Sequence, residues 1–304
     1  MNSTREIGVV HLVRAQNGIE TFKCFLKSYR QNDGGIEHDL IVVMKGFSEK
    51  YGKAEYMELL KDLKHITFEV PDIGYDITAY FAAFRHFAKQ YKYFCFLNSF
   101  SVIQVKDWLH KLHEYISQSN VGLVGATGSW QSHRPGGKSL FGSLIMVGTT
   151  HYQLYLEKVY WKRMLLGIIG AWQHIPLLLN CKPYPNFHIR TNAFMISSDL
   201  MQRINYPMIN SKSDALEFES GRNGLTMQVL LLNMKALVVA KDGIGYEMKS
   251  WNESKTFWQS EQENLLVADN QTRDYQFGNL ERRGYLSCLA WKIGCDNGNN
   301  GTRE

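Results

Sequence analysis

Cysteine pairs at metal-ligand spacing are missing from this chain of 304 residues. Its five cysteines (Cys24, Cys95, Cys181, Cys288 and Cys295) are scattered and odd in number. Neither a disulfide framework nor a zinc site is therefore indicated, and a reduced, cytoplasmic setting is expected. A membrane-spanning run is missing too: the most apolar stretch, Met164 to Asn180, is interrupted by Gln173, His174 and Pro176. The N-terminus carries Arg5 and Glu6 and then enters a strand pattern, unlike a signal peptide. Strong basicity is also lacking. A net charge of +5 and a pI near 8.8 suit phosphate-bearing ligands or an anionic membrane surface and argue against nucleic acid.

What is there is an ordinary globular composition, 44% hydrophobic and 21% charged, on a chain long enough for one large α/β domain. Aromatic residues make up 13%, supplying rings for a core or for stacking on sugar faces. Short apolar runs alternate with helical patterns. Strands are expected at Ile7–Val13, Leu40–Met44, His65–Val70, Tyr93–Leu97 and Val121–Ala126, with helices at Ile19–Tyr29, Ala54–Leu63, Asp76–Tyr91 and Asp107–Ile116. That order is the signature of a parallel sheet flanked by helices, which places ligands at the carboxyl ends of the strands.

The rhythm breaks from Gly136 to Pro185, where Tyr160, Met164, Ile168 and Trp172 form an apolar helical stripe beside Trp161 and near Lys158, Lys162 and Arg163. Such a stripe fits peripheral membrane contact, a homodimer seam through 155–180, or core. The α/β pattern resumes with a strand at Phe194–Ile196, partial helix over Leu216–Asn233 and a strand at Ala236–Val239. Asp242–Tyr246 and Asp269–Tyr275 read as polar loops, and residues 296–304 as a disordered tail.

Three segments together resemble GT-A glycosyltransferases, especially bacterial enzymes that build surface polysaccharides. They are Val9–Arg14, the stretch from Asp72-Ile73-Gly74-Tyr75-Asp76 to Phe96-Leu97-Asn98-Ser99, and His188–Met195. The resemblance implies a GT-A, Rossmann-like α/β fold: a mixed, mainly parallel sheet with helices on both faces. It would form one domain over 1–295 with a helical insertion at 136–185. It also implies a hexosyl- or deoxyhexosyltransferase taking a nucleotide-diphosphate sugar, with a glycan or lipid-linked acceptor, at the inner face of the membrane.

Where that fold keeps its Asp-x-Asp metal motif, this chain has Asn98-Ser99-Phe100. Hard cations prefer carboxylate oxygens, so a divalent metal (Mn or Mg) is left without its usual ligands. Diphosphate charge would then fall to Arg14, Arg190 or Arg222, whose forks match phosphate oxygens. By the same resemblance Asn17, Asp76, Asn98 and Ser99 are expected at the nucleotide sugar. Trp130, after the turn Gly125–Ser129, is expected at the acceptor together with His188 and Asn192. Asp76 is equally a good helix N-cap, and Gly125–Ser129 equally a structural turn. Glu219, then Asp214, would be the base of an inverting transfer, taking the acceptor hydroxyl's proton. Two other classes stay open. A non-catalytic glycan- or nucleotide-binding relative would have kept the fold and lost its acids. A nucleotidyltransferase usually shows a Gly-rich loop after the first strand, which His11–Gln16 lacks.

Overall fold

The computed structural model describes residues 6–48, 52–133 and 180–293. The expected insertion at 136–185 with its apolar stripe, and the tail at 296–304, lie almost wholly outside these residues. The first part of the chain runs β1 (Ile7–Arg14), α1 (Ile19–Gln31), β2 (Asp39–Lys45), α2 (Ala54–Leu60), β3 (Ile66–Val70), α3 (Asp76–Phe87) and β4 (Tyr93–Leu97). It continues through β5 (Val102–Ile103), α4 (Trp108–Ile116), β6 (Val121–Gly125) and β7 (Gly128–Ser129). The later part contains β8 (His188–Ile189), β9 (Ala193–Ser197), α5 (Ser198–Arg203), α6 (Lys212–Ser220) and α7 (Leu225–Leu231). It ends with β10 (Lys235–Val239), β11 (Gly245–Glu247), β12 (Val267–Ala268), α8 (Asn270–Gln276) and α9 (Leu280–Trp291).

Eight strands form one mixed, mainly parallel sheet in the order β11-β10-β6-β9-β4-β1-β2-β3. β9 runs antiparallel to both neighbours, β4 and β6, and β11 is antiparallel to β10. The remaining strands point the same way. The strands are buried on both faces, which is why they read as continuous apolar runs. Within β1, Val10 and Leu12 face one core and Ile7, Val9 and Val13 the other, the two-residue period of a pleated strand. α3, α5, α6, α7 and α9 cover the first face, with Tyr80, Phe84, Phe94, Phe96 and Phe194 at its centre. α1, α2 and α4 cover the second through Phe22, Phe25, Tyr56 and Trp108.

Three expectations are corrected. Asp242–Tyr246 is not wholly loop, since Gly245 and Tyr246 enter β11, which pairs with β10. Asp269–Tyr275 is not a loop but the start of a helical pair: Asp269 closes a capping box with Thr272, its carboxylate accepting from the Thr272 N–H at 2.8 Å. That box satisfies helix-start donors which a weakly amphipathic seven-residue segment does not advertise. Cys288 on α9 is disulfide-bonded, whereas Cys24, Cys95 and Cys181 are free. Pairing follows proximity in space, which irregular spacing along the chain does not reveal.

His11 is the outlier of the core. It is fully buried on β1, and neither ring nitrogen has a hydrogen-bond partner. Its ring stacks on Phe25 with centroids 3.4 Å apart and on Phe22 at 5.9 Å. Burial pushes its pKa from 6.5 down to about 3. The unfolded chain therefore takes up a proton that the folded chain refuses. This residue's contribution is intact above about pH 6.5 and is lost progressively as the pH falls towards 3. His11→Leu removes the orphaned nitrogens and should stabilise the protein at neutral pH by about 1 kcal/mol. Thermal melts should show a midpoint raised by roughly 2–4 °C and a weaker loss of stability between neutral and mildly acidic pH.

Candidate active site at the carboxyl edge of the sheet

Parallel strands deliver their carboxyl ends to one edge, and polar groups collect there. Register sets Arg14, at the end of β1, directly beside Lys45, at the end of β2. Asp72 follows β3 and accepts a two-pronged contact from Arg14, Nε to Oδ1 at 2.9 Å and Nη2 to Oδ2 at 3.0 Å. This fork holds the Asp72 carboxyl below its ordinary range. Lys45 is buried, and its ammonium donates to the carbonyls of Gly74 (2.7 Å) and Tyr75 (3.1 Å) and lies 3.8 Å from Asp72 Oδ1. Burial lowers its pKa. Gly74, at φ +63, has no room for a side chain because Thr78 Oγ1 would lie 2.2 Å from a Cβ.

Asp76 opens α3 half-buried. Tyr75 is the residue in the N-cap position of α3, so Asp76 sits in the first turn. Burial raises its pKa; Lys45 and Arg14 oppose that effect, and the charge of Glu219 adds to it. Asp76 and Glu219 therefore share one electrostatic space although they are distant in sequence.

β9 supplies the opposite wall. Because it is antiparallel, its start lies where the parallel strands end. The Asn98 N–H donates to the Asn192 carbonyl at 2.9 Å. Asn98 Oδ1 accepts from Phe100 N (3.0 Å) and Ser101 Oγ (3.1 Å), and Asn192 Oδ1 accepts from Thr127 Oγ1 (2.8 Å). Arg190 is 6% exposed. It donates from Nη2 to Asp269 Oδ2 at 3.2 Å and lies over the Phe257 ring at 4.3 Å. Three buried polar atoms of this wall have no partner: Arg190 Nη1, Asn192 Nδ2 and Ser99 Oγ. Buried donors are nearly always satisfied, so these three groups are available to acceptors on a ligand.

Glu219, near the end of α6, accepts from the N–H (3.0 Å) and the hydroxyl of Thr191. Burial pushes its carboxyl up, but the charge of Arg190 and the Thr191 bonds oppose it, leaving the pKa below the ordinary range. His188 is buried and donates from Nδ1 to the Asn186 carbonyl at 2.8 Å, with its pKa lowered chiefly by burial. It is thus a neutral imidazole beside an ionised carboxylate.

Other predicted residues stand elsewhere or are otherwise engaged. Asp214 closes the capping box of α6, accepting from the N–H groups of Asn210 (2.9 Å) and Ser211 (2.8 Å). Arg222 is exposed beside Cys181, and its N–H donates to the Asn180 carbonyl at 2.6 Å. Trp130 donates from Nε1 to the Met248 carbonyl at 3.0 Å and packs edge-on against Phe187 and Trp291. Gly125 and Gly128 make room for neighbours: a Cβ would meet Ile189 at 2.3 Å and Trp251 at 2.8 Å. Their turn is a packing feature. Asn17 is half-buried in the turn after β1, beside an open cavity of about 600 Å³ lined by Ala15, Gln16, Phe47 and Tyr56.

Lys45, Asp269 and Phe257 escaped the sequence reading. Only Lys45 left a signal, as a lone cation closing an apolar strand.

Among the described residues the donors do not fit a divalent metal. No group of three or more His, Cys, Asp or Glu side chains able to hold one occurs among the described residues. The residues at the end of β4 offer an amide whose oxygen already accepts two hydrogen bonds, and a hydroxyl.

No family model matches the sequence, and neither does any curated protein. Among solved structures, the chain is similar to the mannosyltransferase PcManGT from Pyrobaculum calidifontis in complex with GDP-Man and Mn2+. That match has 12% identity and a TM-score of 0.45, covering 84% of this chain and 61% of the other. It is similar to S. aureus TarS at 13% identity and a TM-score of 0.32, over 40% of this chain and 21% of the other. The WbbM bifunctional glycosyltransferase matches at 14% identity and a TM-score of 0.36, over 67% and 33%. The chain thus spans less than two thirds of each. Scores this low carry no functional argument, so the weight falls on the site itself.

Thr191→Val deletes one charge-assisted hydrogen bond to Glu219 while keeping the side chain's shape. Because the folded pKa of Glu219 is depressed, its stabilisation is present above the ordinary carboxylate range and disappears as the pH falls through the folded value. The variant should lose about 1.5–3 kcal/mol at neutral pH. In denaturant titrations over pH, the gap from the wild type should close on acidification.

Proposed function

We propose that the protein is an inverting glycosyltransferase of GT-A type that moves a sugar from a nucleotide-diphosphate donor to a hydroxyl of a glycan or lipid-linked saccharide. The observation that carries this reading is the set of unpaired buried donors, Arg190 Nη1, Asn192 Nδ2 and Ser99 Oγ, on the wall that also holds Glu219. Donors without acceptors suit a ligand rich in phosphate and hydroxyl oxygens. The strand-end location agrees, since open α/β sheets bind ligands outside the carboxyl ends of their strands.

In this reading Glu219 is the base. Its low pKa keeps it ionised at neutral pH, ready to take the proton as the acceptor oxygen attacks the anomeric carbon. The bond from that carbon to the diphosphate breaks, and the electron pair leaves with the diphosphate. Arg190, Lys45 and Arg14 supply the positive field that stabilises the departing charge, in place of an Asp-x-Asp metal. Arg14 acts through the Nη1 that Asp72 leaves free. The cavity beside Asn17 takes the base and ribose, with Phe47 and Tyr56 as its aromatic wall. The region 1–295 is read as one such domain, with acceptor recognition by His188, Asn192 and the edge of Trp130.

A non-catalytic nucleotide- or glycan-binding relative is the second reading, favoured by the amide and hydroxyl at the end of β4. Thermal shifts with nucleoside diphosphates and nucleotide sugars, GDP-mannose included, each with Mn²⁺ and with EDTA, separate the cases. A ligand that binds only the folded state raises the midpoint by mass action. We expect a base-selective shift that survives EDTA; dependence on Mn²⁺ would refute metal independence. Glu219→Gln should keep the shift and slow release of the nucleoside diphosphate by about 10²–10⁴-fold. Unchanged release would remove Glu219 from the chemistry, and no release by the wild type with any donor would favour the binding protein.

A further inference from the structure

A second cavity, of about 390 Å³, lies between β5, the segment 261–265 and α8. We propose that it is a separate binding site for an acidic saccharide, one that carries its charge as a carboxylate or phosphate on the sugar.

Charge comes first. Four charged side chains line this cavity besides its amides and apolar floor: Glu261, Glu263, Lys241 and Arg273. Both acids are already matched, Glu261 by Arg283 at 2.6 Å and Glu263 by Lys255 at 3.0 Å. Neither Lys241 nor Arg273 has a side-chain partner among the described residues, so the cavity presents two uncommitted cations. An anion is what they can gain.

The rest of the lining suits a sugar. Gln276 accepts from Gln262 Nε2 at 3.3 Å, which leaves its own amide hydrogens for a ligand hydroxyl. Gln104, exposed at the rim, donates to the Val102 carbonyl at 2.9 Å and keeps its carbonyl oxygen as an acceptor. Phe277 is 84% exposed at the mouth, a ring face of the kind that packs on pyranose C–H groups. Val102, Leu265 and Ala268 give an apolar floor. A free phosphate would use the cations and leave the ring and amides idle.

The backbone behind this cavity is strained. Lys255, Trp258, Ser260 and Gln262 all have left-handed φ, at 54°, 51°, 45° and 51°. Non-glycine residues seldom adopt this region, and a bulky one such as Trp258 is a clear outlier. Such strain concentrates at ligand sites. The strained stretch is pinned by Trp258 Nε1 to the Gln271 carbonyl (3.1 Å), by Gln262 Nε2 to the Thr272 carbonyl (2.8 Å) and by Trp291 Nε1 to the Phe257 carbonyl (2.7 Å). One side of it carries the Phe257 ring under Arg190, and the other carries Gln262 into the cavity. Thr272, in the cavity wall, exchanges hydrogen bonds with Asp269, the partner of Arg190. An occupant would therefore rest two residues away from the sheet-edge wall, where a longer acidic glycan can be held while its end is at the strand ends.

The test reads binding and not turnover, so it stands or falls separately from the transfer reaction. Calorimetric titration of the full chain would use a hyaluronan hexasaccharide (uronate-bearing), cellohexaose (neutral) and inorganic phosphate. We expect the hexasaccharide to bind in a salt-sensitive way, at least about tenfold more tightly than the other two. Lys241→Gln and Phe277→Ala, both at exposed positions, should each weaken it several-fold. Equal affinity for cellohexaose, equal affinity for phosphate, no binding at millimolar concentration, or indifference to Lys241→Gln with an unchanged melting temperature would each overturn the proposal.

Discussion

The site depends on one strand running the wrong way. β9 is hydrogen-bonded between β4 and β6 and antiparallel to both, so its first residues arrive where the parallel strands finish. Leu97 pairs with Ala193, and the next step brings the Asn98 N–H to the Asn192 carbonyl. Were β9 parallel, Arg190, Thr191 and Asn192 would sit at the far edge of the sheet. Glu219, which is tied to Thr191, would then lose its hold on the strand ends. Asp76 and Glu219, 143 residues apart in sequence, share one electrostatic space because of this single reversal.

Burial then decides the charge states. An isolated ion in a low-dielectric interior is expensive, so buried charges come in matched sets. Arg190 is matched by Asp269 and by the face of Phe257, and its field keeps Glu219 ionised against the effect of burial. Asp76, with weaker compensation from Lys45 and Arg14, moves the other way. Two carboxyl groups in one space with pKa values pushed apart are a common arrangement where a proton is to be handled. The Arg14–Asp72 pair is partly exposed and contributes little to stability, but it fixes Arg14 beside Lys45 at the sheet edge.

Much of the architecture was legible because a doubly covered sheet leaves a plain record. Tyr93–Leu97 was read to the residue, and Ile19, Asp76 and Ala54 as helix starts, because buried strands are unbroken apolar runs and their helices repeat every three to four residues. The C-terminal helical pair was not legible. α8 has only seven residues and little amphipathic pattern, and its start rests on the reciprocal Asp269–Thr272 bonds. His188, Arg190 and Asn192 were singled out as polar groups before one short apolar strand, and Glu219 separately, by resemblance, as a candidate base; the fold sets Glu219 against Thr191 of that same stretch. Asp214 and Arg222 came from the same neighbourhood in sequence. A few residues along a helix or turn were enough to aim Asp214 at the helix's own N–H groups and to leave Arg222 on the surface.

The sequence by itself determined the alternation of strands and helices, and it determined that an amide and a hydroxyl stand at the end of β4. These are local properties, set by side-chain periodicity and by which residue occupies a position. Only the tertiary structure decided the partners. It placed Lys45 beside Arg14, gave Arg190 to Asp269 and Phe257, and left Arg190 Nη1, Asn192 Nδ2 and Ser99 Oγ unpaired. Register, strand direction and burial settle such matters, and each arises from contacts between segments far apart in the chain.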